Sequence, residues 1–467
     1  MKRPNKWLAA KNKAEQPFLE SVRRKERAPR HRPKGFMTAP PTELRRLITA
    51  VIASTVGTTI EWYDFFLYGT AAALVFPATF FPEQSPFVGQ IYSFGTFSVG
   101  FLSRPLGGAI FGRIGDQRGR KAALVATLLL MGVSTLLIGL LPTYRQIGVA
   151  APLLLVSLRF LQGIGVGGEW GGAVLLALET GHRGRRGLLA SFPQAGVPIG
   201  LLLSTGVMTL CARMLSAEDF YAWGWRIPFL ASVVLIVVGF LIRSLVTESP
   251  LFAELKAEHK TARTPLMDVL RAHWKQIVLG AGCRLSENSV FYIFATYVLA
   301  YGEAALQIPR ATTLTAVNIA AAVACVTIPI FGVASDLSSR KAVYITGNLL
   351  LIVLAIPYYA ALATRQSAAV LIATVVMLGL VHPMLYAVQA SLLSELFSTR
   401  IRYTGASLAY QLAGPFAGGL APIVAASLVY RYPSSYLPLA LYIAGLALVS
   451  IVCVYFLGET SRKDITM

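Results

Sequence analysis

Long apolar runs recur along nearly the whole chain, and they constrain the fold more than any other feature. Each run reaches the roughly 20 residues that a helix needs to cross the hydrocarbon core of a membrane. A soluble chain carries about 25% charged residues, whereas only 14% of these 467 residues are charged. We therefore predict an all-α membrane protein. A large soluble protein with buried helices is the alternative.

Twelve transmembrane helices are predicted. They cover residues 46–76, 88–112, 121–141, 148–178, 187–211, 226–246, 276–301, 311–333, 341–363, 368–394, 403–430 and 436–457. Several of these spans are longer than a membrane requires, so we expect them to be tilted or broken, and their internal Gly and Pro residues permit both.

The charge of the loops predicts the orientation. Lys and Arg cluster in every second loop, as in Arg118, Arg120 and Lys121 after span 2, and Arg340 and Lys341 after span 8. The positive-inside rule places such loops in the cytoplasm. Both termini are then cytoplasmic, as an even number of spans requires.

The segment before the first span is strongly basic, with twelve Lys or Arg and three Glu in residues 1–36. Nucleic-acid binding is one interpretation. We favour a disordered cytoplasmic tail over residues 1–44 that touches anionic lipid, with no nucleic acid as partner.

A polar stretch divides the membrane domain into two halves. It runs from Thr247 to Trp274 and predicts a short amphipathic cytoplasmic helix. We therefore predict an N-terminal six-helix half over residues 45–246, a linker over 247–275, a C-terminal half over 276–458 and a tail over 459–467.

The two halves share sequence motifs. GRIGDQRGRK at residues 112–121 recurs as GVASDLSSRK at residues 332–341, an offset of 220. GLLASFPQAG at residues 187–196 recurs as GASLAYQLAG at residues 405–414, an offset of 218. Two matches at nearly one offset indicate a duplication. Parallel repeats with a site between them are a known transporter architecture.

With these motifs the chain resembles the major facilitator superfamily, and within it the metabolite:proton symporters, which include shikimate, dicarboxylate, citrate and proline/betaine carriers. The resemblance covers about residues 45–458. The superfamily motif is GRIGDQRGRK, and the narrower motifs are GTTIEWYDFFLYG, RPLGGAIFGRIGD, RFLQGIGVGGEWGGA, WGWRIPF and RYTGASLAYQLAG. The resemblance implies two pseudo-symmetric six-helix halves in the cell inner membrane and proton-coupled transport by alternating access.

The resemblance also implies a cytoplasmic gating motif that holds the halves together in the outward-facing state. Its residues are Gly112, Asp116, Arg120, Lys121, Asp336 and Arg340. Asp116 can pair with Arg120 and can face the N-terminus of a neighbouring helix, where negative charge is favourable. Ordinary topogenic charge is the alternative. Ser339 replaces Gly119 in the second copy, which we expect to be the weaker one.

Two carboxylates lie one helical turn apart in the first span, Glu61 and Asp64. A charge at the centre of a bilayer costs roughly 2.5–3.5 kcal/mol, and such residues typically mark proton relays. We predict that Asp64 carries the proton and Glu61 tunes it, with Glu169 in span 4 as a third proton-coupling candidate. The repeat places Asp64 opposite Arg284. A buried Asp–Arg pair that only fixes packing is the alternative.

Cavity arginines favour a substrate with a carboxylate, because guanidinium binds carboxylate bidentately. The predicted substrate-binding residues are Arg159, Arg284, Tyr68, Gln162, Glu287 and Asn288. A structural clasp between Arg159 and Glu169 is the competing interpretation.

Three further residues are candidates, and two of them, Arg104 and His382, leave two interpretations each. Arg104 in span 2 either extends to the membrane interface or partners a cavity carboxylate. Arg226 favours an interface anchor. His382 is either satisfied locally or part of the site.

These observations predict a proton-coupled symporter that imports a small polar metabolite. The alternatives are a proton-driven efflux carrier of the same fold and a non-transporting membrane sensor. The sequence lacks a Walker-type phosphate loop, a nucleophile–base set and metal-ligand spacings, so we expect no enzyme activity, no cofactor and no metal site. The expected partners are the substrate, the proton and membrane lipid, and the expected state is a monomer.

Overall fold

Twelve long helical segments make up the part of the chain that the computed structural model describes, residues 41–181, 183–258, 262 and 264–461. The first six are α1 Pro41–Leu74, α2 Pro86–Gln117, α3 Arg120–Leu140, α4 Ala150–Thr180, α5 Arg186–Met214 and α6 Phe220–Leu245. The second six are α7 over residues 274–305, α8 Arg310–Leu337, α9 Arg340–Ala363, α10 Ser367–Ser394, α11 Arg402–Arg431 and α12 Leu437–Leu457. No strand occurs in these described ranges, as the all-α prediction requires.

Nine of these segments are long and apolar enough to cross a membrane, counting only the described residues. The other three are α1, α2 and α7. They are the segments that carry Glu61 and Asp64, Arg104, and Arg284 and Glu287. A membrane-spanning role for α1, α2 and α7 stays a prediction.

Three segments of the second half are interrupted by π-helical turns. These turns are Ile293–Tyr297 and Tyr301–Ala305 in α7, Val375–Val381 in α10 and Pro415–Gly419 in α11. A π turn changes which face of a helix points inward and is frequent at functional sites. The expectation that some spans are broken is met in these three segments, α7, α10 and α11.

Small residues bring α2 and α4 into backbone contact. A Cβ on Gly167 would collide with the backbone of Arg104, and one on Gly163 would collide with Gly100 and Ser103. Such small-xxx-small packing fixes the relative position of two helices. Because Arg104 and Arg159 lie on this helix pair, the glycines position both arginines.

The predicted cytoplasmic linker contains two short helices rather than one, Pro250–Ala257 and Pro265–Ala272. Ser249 begins the first helix, and its Oγ accepts a hydrogen bond of 3.1 Å from the Phe252 amide. Pro265 begins the second, because proline cannot continue a helix from the preceding turn.

The described residues from Arg46 onward pack as one compact unit. The division into six-helix halves over residues 45–246 and 276–458 stays a prediction. The predicted N-terminal tail lies, up to residue 40, outside the described residues, and so does the predicted C-terminal tail beyond residue 461.

Candidate functional site

Among the described residues, nine buried Asp, Glu, Arg and His side chains of the helix bundle lie outside the gating motif and its partners. They are Glu61, Asp64, Arg104, Arg159, Glu169, Arg243, Arg284, Glu287 and His382. We call these nine residues the central charged set. All predicted proton-coupling residues belong to it, with the predicted substrate residues Arg159, Arg284 and Glu287.

Asp64 and Arg159 are joined through two neutral side chains. Thr135 Oγ1 donates to Asp64 Oδ2 over 2.9 Å, and Gln162 Nε2 donates to Thr135 Oγ1 over 2.7 Å. Arg159 in turn donates from Nη1 to Gln162 Oε1 over 2.7 Å. We call these four residues the relay. Asp64 Oδ1 has no hydrogen-bond partner in the described chain, so one carboxylate oxygen is available.

The Arg159 guanidinium lies among aromatic rings. Its Cζ is 4.2 Å from the ring centre of Tyr68 and 4.9 Å from those of Phe65 and Phe97. The Tyr68 hydroxyl donates to Thr96 Oγ1 over 2.7 Å, which fixes that ring. Nε and Nη2 of Arg159 have no hydrogen-bond partner among the described residues. Cation–π contacts hold this cation and leave donors free.

Arg104 is held in a similar way. Its Cζ lies 4.4 Å from the Phe101 ring centre, 4.5 Å from that of Phe65 and 5.7 Å from that of Trp62. The residue is 1% exposed, so it does not extend to the membrane interface, and that interpretation was wrong. Nε and Nη2 find no hydrogen-bond partner within the described part of the chain.

Glu61 and Asp64 face different cations. The charged neighbours of Glu61 include Arg104, Arg243 and Arg284. The cation near Asp64 is Arg159, whereas Arg284 is a charged neighbour of Glu61, one turn earlier on α1. That the repeat places Asp64 and Arg284 at equivalent positions of opposite halves stays a prediction. Oε2 of Glu61 lacks a hydrogen-bond partner in the described ranges.

Glu169 forms a buried ion pair with Arg243. Arg243 of α6 donates to Glu169 Oε1, and Thr127 donates to Glu169 Oε2 over 2.8 Å. A second Arg243 nitrogen donates to the Leu124 carbonyl. The clasp between Arg159 and Glu169, which was the competing interpretation, is therefore not formed. Arg243 gave only a weak signal in the sequence, a single arginine near the end of an apolar span.

A second cluster lies on α7 and α10. Arg284 Nε is 3.4 Å from Glu287 Oε2, and His382 Nε2 is 3.1 Å from Glu287 Oε1. Arg284 also donates to the Tyr410 carbonyl and lies 3.1 Å from the centre of that ring. His382 therefore contacts the site residues. Asn288 Oδ1 is buried without a hydrogen-bond partner in the described residues.

This second cluster contacts the first half through aromatic stacking. The Tyr410 ring stacks on Trp170 of α4, with centroids 3.6 Å apart and 10° between the planes. Trp170 Nε1 donates to Gln194 Oε1 over 2.8 Å, and Gln194 Nε2 donates to the Tyr386 carbonyl over 3.0 Å. Arg284 thus lies at a junction between the two halves.

The first copy of the gating motif caps a helix of the other half. The Asp116 carboxylate accepts from the amides of Tyr403 and Thr404, over 3.1 and 2.9 Å, at the start of α11. Arg120 pairs with Asp116 over 3.0 Å. A carboxylate at a helix N-terminus is favourable, and this contact spans the two halves as predicted for Asp116. Close approach also needs glycine here, because a Cβ on Gly112 would meet Thr404.

A buried glutamate connects this copy to α11. Glu179 pairs with Arg120 over 3.2 Å and with Arg402 over 2.8 Å. The linker supplies Glu248, whose carboxylate accepts from the amides of Arg120 and Lys121 over 3.0 and 3.3 Å. The Lys121 ammonium donates to the Ser244 carbonyl over 2.8 Å. The sequence analysis did not identify Glu179 or Glu248, because their role depends on neighbours in other helices.

The second copy of the gating motif makes the equivalent contacts with the roles of the two halves exchanged. Asp336 accepts from the amides of Gly187 and Leu188, each over 2.8 Å, at the start of α5. Arg340 pairs with Asp336 over 2.7 Å and with Glu395 over 3.2 Å. Glu395 here takes the place of Glu179, at an offset of 216 rather than 220.

The expectation of a weaker second copy finds no support in this geometry. Gly119 has a φ of 116°, which favours glycine, but Ser339 at the equivalent position has an extended φ of −156°. Ser339 Oγ also accepts from the Ala342 amide over 2.9 Å and so caps α9.

Glu459 completes the second copy by accepting from the amides of Arg340 and Lys341, each over 3.2 Å. Partial burial acts to raise its pKa, but hydrogen bonds from Ser461, Lys341 and Ser339 outweigh burial and lower the pKa to about 2. Glu459 is therefore ionised at any physiological pH and acts as a permanent anchor for the start of α9.

The described residues contain no group of three or more His, Cys, Asp or Glu that could hold a metal ion. The buried carboxylates are instead each placed near arginines.

Comparisons with known proteins consistently match this chain to membrane transporters. The family profile described as "Sugar (and other) transporter" matches residues 49–276. The shikimate transporter of Escherichia coli is 38% identical over 421 residues, which cover 90% of this chain and 96% of that protein. The inner membrane metabolite transport protein YhjE of Escherichia coli is 39% identical over 420 residues, 89% and 95% of the two chains. The proline/betaine transporter of Salmonella typhimurium is 31% identical over 430 residues, 90% and 85%.

The fold also matches solved structures. The proton:xylose symporter XylE, bound to 6-bromo-6-deoxy-D-glucose, superposes with a TM-score of 0.70 over 90% of this chain and 98% of that chain, at 18% identity. This likeness confirms the predicted fold of the major facilitator superfamily.

Proposed function

Because the chain belongs to the metabolite transporters of the major facilitator superfamily, we propose that it imports a small carboxylate-bearing metabolite together with a proton. The protein is a multi-pass membrane protein and a transporter rather than an enzyme. The relay supports the proposal most directly. It offers a free carboxylate oxygen on Asp64 and free guanidinium donors on Arg159, linked by hydrogen bonds.

Asp64 is the proton carrier in this proposal. A carboxylate buried in the bundle is costly as an anion unless a cation compensates it. Arg159 provides that compensation through Gln162 and Thr135. Any change that draws Arg159 away favours protonation of Asp64. Glu61, near three other cations, tunes the site, whereas the ion pair with Arg243 gives Glu169 a secondary role.

The substrate carboxylate binds the free donors of Arg159. Guanidinium forms two parallel hydrogen bonds with a carboxylate, and Nε and Nη2 of Arg159 form one edge of its fork. Tyr68 and Gln162 hold this arginine in place. Glu287, Asn288 and the stacked Arg284 contribute from the second half, where Asn288 has a free acceptor for a hydroxyl group.

The two copies of the gating motif close one side of the molecule. Asp116 caps α11 and Asp336 caps α5, so each half holds a helix of the other. We assign this side to the cytoplasm on the positive-inside rule, with the protein in the inner membrane and its termini inside. Alternating access requires these contacts to break when the site opens to the cytoplasm.

A reconstituted uptake assay tests the proposal. Proteoliposomes with an imposed pH gradient, acid outside, are offered radiolabelled shikimate, succinate, citrate, proline and glycine betaine. Gradient-driven accumulation of at least one carboxylate is expected, and a protonophore should abolish it. Proton-driven extrusion of the same compounds would favour the efflux carrier, and the absence of any flux would favour a sensor.

A further inference from the structure

The charges of the central set balance. It contains the four arginines Arg104, Arg159, Arg243 and Arg284 and the four carboxylates Glu61, Asp64, Glu169 and Glu287, with His382 as the one remaining ionisable residue. The Glu169–Arg243 ion pair neutralises itself. The remaining three arginines and three carboxylates are neutral together when every one is ionised and His382 is neutral.

One arginine in this balance has no dedicated carboxylate. Arg284 is paired with Glu287, and Arg159 is joined to Asp64 through the relay. Arg104 packs against aromatic ring faces, has Tyr292 as a side-chain hydrogen-bond neighbour and Glu61 as a charged neighbour, but its Nε and Nη2 have no hydrogen-bond partner in the described chain. A guanidinium that keeps two free donors at 1% exposure indicates a place for an anionic ligand.

We infer that the substrate is a monoanion, bound by Arg104 beside Arg159 and moved with one proton in an electroneutral cycle. This inference rests on the proposed function and adds the net charge of the substrate. Protonation of Asp64 leaves the central set with one excess positive charge, and a bound monoanion restores neutrality. The empty, deprotonated site and the fully loaded site are therefore both neutral.

This balance also explains why proton and substrate move together. A site that has bound only the proton carries a net positive charge, and a site that has bound only the anion carries a net negative charge. Enclosing an uncompensated charge in a low-dielectric interior is costly. A transporter that has bound only the proton or only the anion therefore does not enclose its site. The empty and the fully loaded transporter can both enclose it and open to the other side of the membrane. A neutral His382 is required, and its contact with Glu287 is compatible with a neutral imidazole donating from Nε2.

The wild-type test separates the two driving forces. In proteoliposomes, shikimate uptake is measured with a pH gradient at a potential clamped to zero by potassium and valinomycin, and again with a negative-inside potassium diffusion potential at equal pH. The pH gradient should drive accumulation, and the potential alone should change the initial rate less than twofold. Stimulation of shikimate uptake by the potential, or uptake of proline or succinate in preference to shikimate, would overturn the inference while leaving proton-coupled import intact. Failure of every carboxylate to accumulate would contradict the proposed function itself.

Arg104 supplies the sharper test. Arg104→Gln removes one positive charge, so the empty site becomes neutral only when protonated. This variant should lose shikimate accumulation, because its empty deprotonated form and its fully loaded form each carry an uncompensated negative charge. Arg104→Lys keeps the charge and should still accumulate shikimate, but should need a roughly tenfold higher shikimate concentration because lysine lacks the planar fork. Arg213→Gln, at an exposed position of α5, is the matched control. An Arg104→Gln protein that reaches the membrane and still accumulates shikimate would refute the assignment.

Discussion

Thr135 links Asp64 to Gln162 by hydrogen bonds, and its hydroxyl can adjust to the charge state of Asp64. Its hydroxyl has one proton and two acceptors within reach, Asp64 Oδ2 at 2.9 Å and the Met131 carbonyl at 3.0 Å. While Asp64 is ionised, the hydroxyl donates to it. Once Asp64 is protonated, the new O–H donates to Thr135, whose own proton turns to Met131. Gln162 keeps donating to Thr135 in both states, so the relay survives the proton transfer.

Removal of the titratable group at Asp64 should uncouple the transporter. Asn keeps the shape of Asp but cannot release a proton, so Asp64→Asn should abolish accumulation driven by a pH gradient. Exchange of labelled for unlabelled substrate at equal pH should persist. Both assays are run on the same vesicles. Asp64→Glu should retain some coupling. Intact accumulation by Asp64→Asn would move the proton site to Glu61 or Glu169.

The two substrate arginines should respond differently to the same substitution. Arg159→Lys removes the free guanidinium edge, and loss of one charged hydrogen bond should raise the KM for substrate by roughly tenfold. Arg284→Lys should affect KM less and the maximal rate more, because Arg284 is already paired with Glu287 and stacked on Tyr410. Concentration dependence of uptake at equal membrane abundance measures both. Unchanged affinity in both variants would make the arginines structural.

The sequence identified charged residues in apolar helices, but it did not identify their partners. Asp64 and Arg159 stand out because charge is rare in such segments. Thr135 gave no signal, since threonine is common in membrane helices. Helical spacing allows Glu169 to face the same cavity as Arg159, whereas the packing of α4 against α6 pairs Glu169 with Arg243. Side-chain pairing between helices depends on packing that a single sequence does not encode locally.

At the scale of elements, helix positions were predictable because hydropathy follows membrane thickness. The predicted span 121–141 corresponds to α3, Arg120–Leu140. The π turns of α7, α10 and α11 were not predicted in position, because they arise where neighbouring helices impose a local change of register. The linker was predicted as one helix because its amphipathic pattern continues across Pro265.

Both helix caps formed by the gating motif should be needed for full uptake activity. Asp116→Asn and Asp336→Asn each remove a negative charge that faces two backbone amides and an arginine. Each should reduce uptake severalfold without loss of membrane insertion, and the two effects should be similar in size because the contacts match. Initial rates normalised to membrane abundance give the comparison. A large effect at Asp116 with none at Asp336 would restore the original expectation that the second copy is the weaker one.

At the scale of the molecule, the cytoplasmic contacts show the duplication more clearly than the sequence does. Two motif matches suggested it, but the equivalence extends to Glu179 with Glu395 and to Glu248 with Glu459. Glu248 and Glu459 each accept from a helix start in the half that they directly follow in the chain, whereas Asp116 and Asp336 each accept from a helix start in the other half. Such reciprocal contacts close one side of the central charged set, and transport requires that they separate.

A cross-link between the halves tests this requirement directly. A Cβ placed on Gly108 of α2 would lie 3.5 Å from Cβ of Ser407 on α11, a separation that a disulfide can span. In a background with Cys211, Cys283, Cys325 and Cys453 replaced by serine, oxidation of the Gly108→Cys, Ser407→Cys double variant should abolish uptake. Reduction should restore it, because the locked contacts again open.

The single variants Gly108→Cys and Ser407→Cys are the matched controls, since each carries one thiol and the same packing change without the cross-link. They should transport equally before and after oxidation. Cross-link formation is measured independently by protection from a maleimide reagent of high mass. Full uptake by the cross-linked protein would show that α2 and α11 stay together during transport, and alternating access would then need another pair of helices to separate.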